Sequence, residues 1–196
     1  SVDYASRTIL IGESLSTGVP ICHQSHGIGS LVFGADGTLL LSCGDAASYD
    51  EVDAGQNTAG SSNTAFADGI LQSKERIGAF RAQLVVPPDG KLLRFDPATG
   101  NGVASNPFYD AAFPRAPRSR VWALGLRNPC RALRVPGTGV SDPAAANPGT
   151  FLIGDVGWNT REEFMTCSAP GQNFGWPLYE GLTQTGGYTT ALVENQ

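Results

Sequence analysis

Lysine is nearly missing from this sequence. Only Lys74 and Lys91 stand among 196 residues, beside 11 arginines, and the net charge is -5. The basic residues are scattered, so no stripe offers a track for phosphates, and nucleic acid is excluded as a partner. The acidic excess also disfavours an anionic membrane surface. No window approaches the roughly 18 consecutive apolar residues of a membrane-spanning helix, so no membrane span is expected. The first residues, Ser1-Val2-Asp3-Tyr4, show no start methionine, basic n-region or apolar h-region. The chain is therefore expected to be processed, or cut from a longer one.

No CxxC pair exists. Cys22, Cys43, Cys130 and Cys167 are separated by 20, 86 and 36 residues, which makes a zinc site improbable. As an even set they are expected to form two disulfides in an oxidising compartment, with buried free thiols as the alternative. Spacing leaves the pairing open. Helical periodicity is also scarce. Its best stretch, Thr64–Arg81, is broken by Gly69 and Gly78, which allows a short helix or two inside a long loop.

What is present is turn chemistry between short apolar runs. Glycine and proline supply 25 and 13 residues, and 41% of the chain is apolar, too much for disorder. In Gly29–Asp45 (GSLVFGADGTLLLSCGD) two apolar runs flank Asp36-Gly37, a strong hairpin signal because Gly accepts the positive φ of such turns. The same order returns in Leu133–Gly157: apolar strand, Gly-containing turn, Gly-Thr, apolar strand, Gly-Asp. Leu31 and Leu133 are 102 residues apart, about two units of 50, with strand pieces Lys91–Asp96 and Arg120–Leu126 between them. Units of this kind point to an all-β fold, a β-propeller of which the chain covers about three to four blades. A long loop insertion is expected at about 46–82. A β-sandwich is the alternative.

Four stretches then come in order: His26–Asp45, Gly125-Leu126-Arg127-Asn128-Pro129, Gly154–Glu163 (GDVGWNTREE) and Asn173–Gly181 (NFGWPLYEG). Together they resemble the soluble glucose/sorbosone dehydrogenase family, six-bladed propellers that use pyrroloquinoline quinone (PQQ). The family pattern runs H-x-x-G-x-L-x-F-G-x-D-G-x-L-Y-x-x-x-G-D, G-L-R-N-P, G-D-V-G-x-x-x-x-E-E and N-Y-G-W-P-x-x-E-G. The resemblance spans about residues 20–181 and is closest to secreted bacterial members.

The resemblance implies a PQQ-dependent dehydrogenase that oxidises an aldose at C1 to its lactone. Its partners would be a sugar substrate, an external electron acceptor and further blades or domains of the same protein, in a secreted or periplasmic setting. His26 falls on the catalytic base, a task suited to imidazole. Asp45 falls on the acidic residue that orients it. Arg127 and Asn128 fall on the pair that binds the cofactor and polarises the quinone oxygen. Gly157 and Trp158 fall on the backbone carbonyls that bind Ca²⁺. The Lys and Arg residues that hold the PQQ carboxylates lie in later blades and have no counterpart here. An inactive extracellular propeller, acting as a carbohydrate-binding or adhesion module, is the alternative function. A protein-binding propeller of the hedgehog-interacting type is disfavoured by the low cysteine density.

The residues outside this set have plainer readings. His23 is expected to be structural, and Glu162-Glu163 a solvated edge with one structural contact, since neighbours on a strand point to opposite faces. Asp50, Glu51 and Asp53 lack the spacing of an EF-hand. Trp122, Trp158 and Trp176 are expected mainly to pack blades, with sugar stacking as a second role.

Overall fold

The computed structural model describes residues 2–55 and 62–193. Among these residues, nine strands form three antiparallel sheets. The first sheet has the order β1 (Ile28–Phe33), β2 (Leu39–Cys43), β3 (Lys91–Phe95), β4 (Val121–Leu124). The second holds β5 (Arg131–Arg134), β6 (Phe151–Asp155) and β7 (Glu163–Cys167), and a short hairpin pairs β8 (Tyr179–Glu180) with β9 (Thr183–Gln184). The turn at Asp36-Gly37 joins β1 and β2 as the sequence implies, with Gly37 at φ 77°. The 102 residues from Leu31 to Leu133, however, span one sheet and not two units of 50. Lys91–Asp96 and Arg120–Leu126 supply its third and fourth strands, and long connections before β3 and β4 stretch the repeat.

The apolar run Leu39-Leu40-Leu41 reflects burial on both faces of β2. One face carries Leu40 with Leu92 and Trp122, and meets Phe151, Ile153 and Cys167 of the second sheet. The other carries Leu41, Cys43, Leu93 and Phe95 and is covered by Leu10, Ile11, Val19 and Phe108. Two sheets thus pack face to face while their first strands, β1 and β5, touch each other at the sheet edges. This is how successive blades of a β-propeller meet near a common axis. Ile28, Leu31 and Phe33 of β1 and Phe164 of β7 remain exposed.

All four cysteines are free thiols, against the expectation of two disulfides. The reason is packing. Cys43 and Cys167 are buried on opposite sides of the first sheet, Cys22 lies in a third apolar cluster with Ala65 and Leu71, and Cys130 is half-buried.

Between β2 and β3 lie a helix, Ser62–Ala67, and 3-10 turns at Ser73–Glu75 and Gly78–Gln83, matching the short helices expected there. Residues 56–61 of the insertion lie outside the described residues. Two buried cations close the base of the segment between β2 and β3. Arg81 donates through Nε and Nη2 to the Asp45 carbonyl (3.2 and 3.1 Å) and through Nη2 to the Ala46 carbonyl (3.0 Å). Lys91 Nζ donates to the carbonyls of Arg81, Ala82 and Asp89 at 2.9, 3.0 and 2.5 Å. Burial, only partly offset by Asp89, lowers the Lys91 ammonium to about 7.

The first turn is anchored by a buried ion pair, Arg94 Nη2 to Asp36 Oδ2 at 2.6 Å, with both side chains fully covered. Burial alone would raise the Asp36 carboxyl. The Thr38 hydroxyl and Arg94 outweigh it and hold the group below its ordinary value. Asp36→Asn is expected to lower the unfolding free energy by about 3 kcal/mol at neutral pH, because it leaves Arg94 buried without its counter-charge. A carboxyl depressed in the folded state stabilises above its unfolded pKa, and that share is lost as pH falls. The gap between wild type and variant in urea unfolding is therefore expected to shrink below about pH 4.

Candidate active site

The hairpin register sets Ile28 opposite Cys43, which brings the loop before β1 beside the loop after β2. His26 lies in the first loop and Asp45 in the second. His26 Nδ1 is 2.7 Å from Asp45 Oδ1, with both side chains buried. The backbone is bent to allow this. His26 and Ala46 both hold positive φ, 58° and 55°, and the Ala46 amide donates to the His26 carbonyl at 3.2 Å. Left-handed non-glycine residues cost about 1–3 kcal/mol and cluster at functional sites. Gly44 must lack a side chain, since a Cβ there would fall 2.4 Å from the His26 carbonyl oxygen.

Asp45 accepts on both oxygens: Oδ1 from the Ala47 amide at 2.9 Å and Oδ2 from Trp176 Nε1 at 2.7 Å. A carboxylate set among donors is an acceptor, so the proton between it and His26 belongs to Nδ1. The imidazole Nε2 is then left with its lone pair, and among the described residues it has no hydrogen-bond partner.

Arg127 and Asn128 follow β4, and the Asp45 amide donates to the Arg127 carbonyl at 2.8 Å. Asp155, at the end of β6, accepts from the amides of Arg127 and Asn128 at 2.9 and 2.5 Å. Burial raises its carboxyl to about 7 against the pull of those two amides. Asp155 therefore does for the second sheet what Asp45 does for the first: each closes a second strand and grips the loop that enters its own sheet. The repeated Gly-Asp at 44–45 and 154–155 is the sequence signal for this residue. The Arg127 guanidinium lies 5.3 Å from the centre of the Trp176 ring. Its Nη1 donates to the carbonyls of Val156 (2.8 Å) and Gly157 (2.9 Å), while its Nε is buried without a partner among the described residues. The Asn128 side chain also has no partner among them.

Gly157 and Trp158 sit in a loop held from below by Glu180, whose carboxylate accepts from the amides of Trp158, Asn159 and Thr160. Glu162 accepts from the Gly157 amide at 3.1 Å and Glu163 from the Gly181 amide at 2.6 Å, so both carboxylates have structural contacts. The Trp158 indole donates to the Tyr49 carbonyl at 3.0 Å. His23 stands apart from the dyad, with Ser25 Oγ at 3.3 Å and the Tyr49 ring edge-on to it. Trp122 and Trp176 are buried and Trp158 half-buried.

PQQ and Ca²⁺ fit this site differently. The orphaned Arg127 Nε and the Asn128 amide, which has no partner among the described residues, are donors that a ligand rich in oxygen would satisfy. Ca²⁺ fits poorly in the arrangement seen here, because the Gly157 carbonyl already receives a guanidinium. Ca²⁺ wants six to eight oxygens, more than the Gly157 and Trp158 carbonyls supply by themselves. Neither is Lys91 free to bind the carboxylates of a cofactor. A separate cavity of about 530 Å³, lined by Pro20, Ile70, Val86, Pro88 and Phe113, contains none of these residues. No helix among the described residues is long and apolar enough to cross a membrane.

No family model matches the chain. Among curated proteins it is 28% identical to the HIPL1 protein and 29% identical to the HIPL2 protein of Arabidopsis thaliana, over 80% and 81% of its length. It spans about a fifth of those relatives, 19% of each. Among solved structures it is similar to a glucose dehydrogenase (24% identity, TM-score 0.52, 81% of this chain and 33% of that one). It is also similar to the PQQ-bound aldose sugar dehydrogenase of Streptomyces coelicolor (24%, TM-score 0.50, 87% and 36%). A third is a Thermus thermophilus oxidoreductase described as a glucose dehydrogenase (25%, TM-score 0.50, 83% and 37%). The chain thus carries part of the β-propeller fold of the soluble, PQQ-dependent glucose dehydrogenases.

Proposed function

We propose that this chain forms part of a PQQ-dependent sugar dehydrogenase that oxidises an aldose at C1 to the lactone. The observation that carries the reading is the His26–Asp45 dyad, which engages Nδ1 and leaves Nε2 without a hydrogen-bond partner among the described residues. That nitrogen takes the proton of the C1 hydroxyl, and Asp45 stabilises the imidazolium that forms. PQQ, when bound, supplies the two-electron acceptor for the hydride that leaves C1, and an external acceptor later removes those electrons. Arg127 and Asn128 would hold it, the orphaned Arg127 Nε and the Asn128 amide giving donors to its oxygens. Trp158 offers a backbone carbonyl to Ca²⁺, and Gly157 joins it only with Arg127 turned away from its present partner. The cations for the PQQ carboxylates are assigned to further blades of the same protein. Residues 1–196 are assigned to one partial propeller with an insertion at 46–82.

The test is dye-linked aldose oxidation by the longest natural chain containing these residues, reconstituted with PQQ and Ca²⁺. His26→Ala is expected to lower turnover roughly 10²- to 10⁴-fold while PQQ still binds. A folded protein that neither binds PQQ nor oxidises any aldose would overturn the reading in favour of a binding module. Arg127→Lys keeps the charge but not the planar fork. It is expected to weaken PQQ about 10-fold in a titration followed by cofactor absorbance, as the loss of one charge-assisted hydrogen bond implies.

A further inference from the structure

Trp176 touches both halves of the site. Its indole N–H is the one donor to Asp45 Oδ2 among the described residues, at 2.7 Å, on a carboxylate that is wholly buried. Its ring lies 5.3 Å from the Arg127 guanidinium, close enough for a cation–π contact. The ring itself is fixed. Gln83 Nε2 donates to the Trp176 carbonyl at 2.6 Å, the Trp176 amide donates to the Gly125 carbonyl at 3.1 Å, and Trp158 and Tyr188 pack edge-on against the indole.

We propose that Trp176 is a positioning residue that couples the His26–Asp45 dyad to Arg127, through its N–H on one side and its ring face on the other. The inference rests on the dehydrogenase reading for its catalytic meaning, but not for the coupling itself. An unpartnered Oδ2 in a buried carboxylate either costs the desolvation of that oxygen or lets the group rotate. Rotation would carry Oδ1 away from His26 and release the tautomer. With the N–H gone, the carboxylate has one donor fewer to share its charge, so it pulls harder on the His26 Nδ1 proton for as long as the two stay in contact. The bond to His26 therefore changes whichever response occurs.

The test compares wild type with Trp176→Phe in the longest natural chain. Replacement of the indole by benzothiophene, which keeps the ring and removes only the N–H, serves if the Phe variant does not fold. The first readout is the low-field proton resonance of the His26–Asp45 bond, identified by its absence in His26→Gln. It is expected to move downfield or vanish in the folded variant. The second is kinetic. Turnover is expected to fall on the order of 10-fold with the aldose KM within about twofold, the loss expected of one hydrogen bond to a charged group. Trp176→Phe combined with Asp45→Asn is expected to be no slower than Asp45→Asn alone. A low-field resonance that stays in place, or losses that multiply independently, would overturn the proposal while leaving the dehydrogenase reading intact. If the resonance is present in wild type and changes in the variant but wild type shows no turnover, the coupling stands and the dehydrogenase reading falls.

Discussion

The site hangs on one buried carboxylate. Asp45 accepts from His26, Ala47 and Trp176 on its side chain, donates its amide to the Arg127 carbonyl, and receives Arg81 on its own carbonyl. Those partners come from the loop before β1, the loop after β4, the segment between β2 and β3 and the segment after β7. In the low dielectric of the interior, an acceptor so supplied is strong when satisfied and costly when any donor is lost. Geometry spread over about 150 residues of sequence is thereby reduced to the orientation of a single group.

Asp155 repeats the device one sheet later, and the repetition explains the spacing of the motifs. Each Gly-Asp closes a second strand, and each aspartate reaches back to the loop that opens its sheet. Because β1 and β5 lie side by side, the two gripped loops come together. The placements of His26 and of Arg127 are therefore products of the same blade architecture used twice.

What could be read beforehand was what is local. The Asp36-Gly37 turn, the strands on either side of it, the short helices of the insertion and the ordered motifs all declare themselves within about 20 residues. The pairing of β3 and β4 onto β1 and β2 did not, since it depends on closure across long loops, and counting strands by spacing split one sheet into two units. The free thiols escaped for a similar reason: Cys43 and Cys167 face different cores, and only the packing of the sheets decides that. The Trp176 ring packs as its residue type implies, but nothing in Asn173–Pro177 announces that its N–H is aimed at Asp45. The contact of Arg127 with the Gly157 carbonyl joins two residues assigned separate partners, and only their placement in space reveals it.

The insertion between β2 and β3 leaves the fold at Ala46, one residue from the dyad, and such a position would ordinarily transmit every change in the loop to the histidine. Arg81 prevents it. By tying the returning chain to the carbonyls of Asp45 and Ala46, and with Lys91 gripping the residues just beyond, it gives the excursion a hydrogen-bonded neck. A lobe on such a neck can change in length and composition, as surface loops do, while the geometry at its root stays insulated.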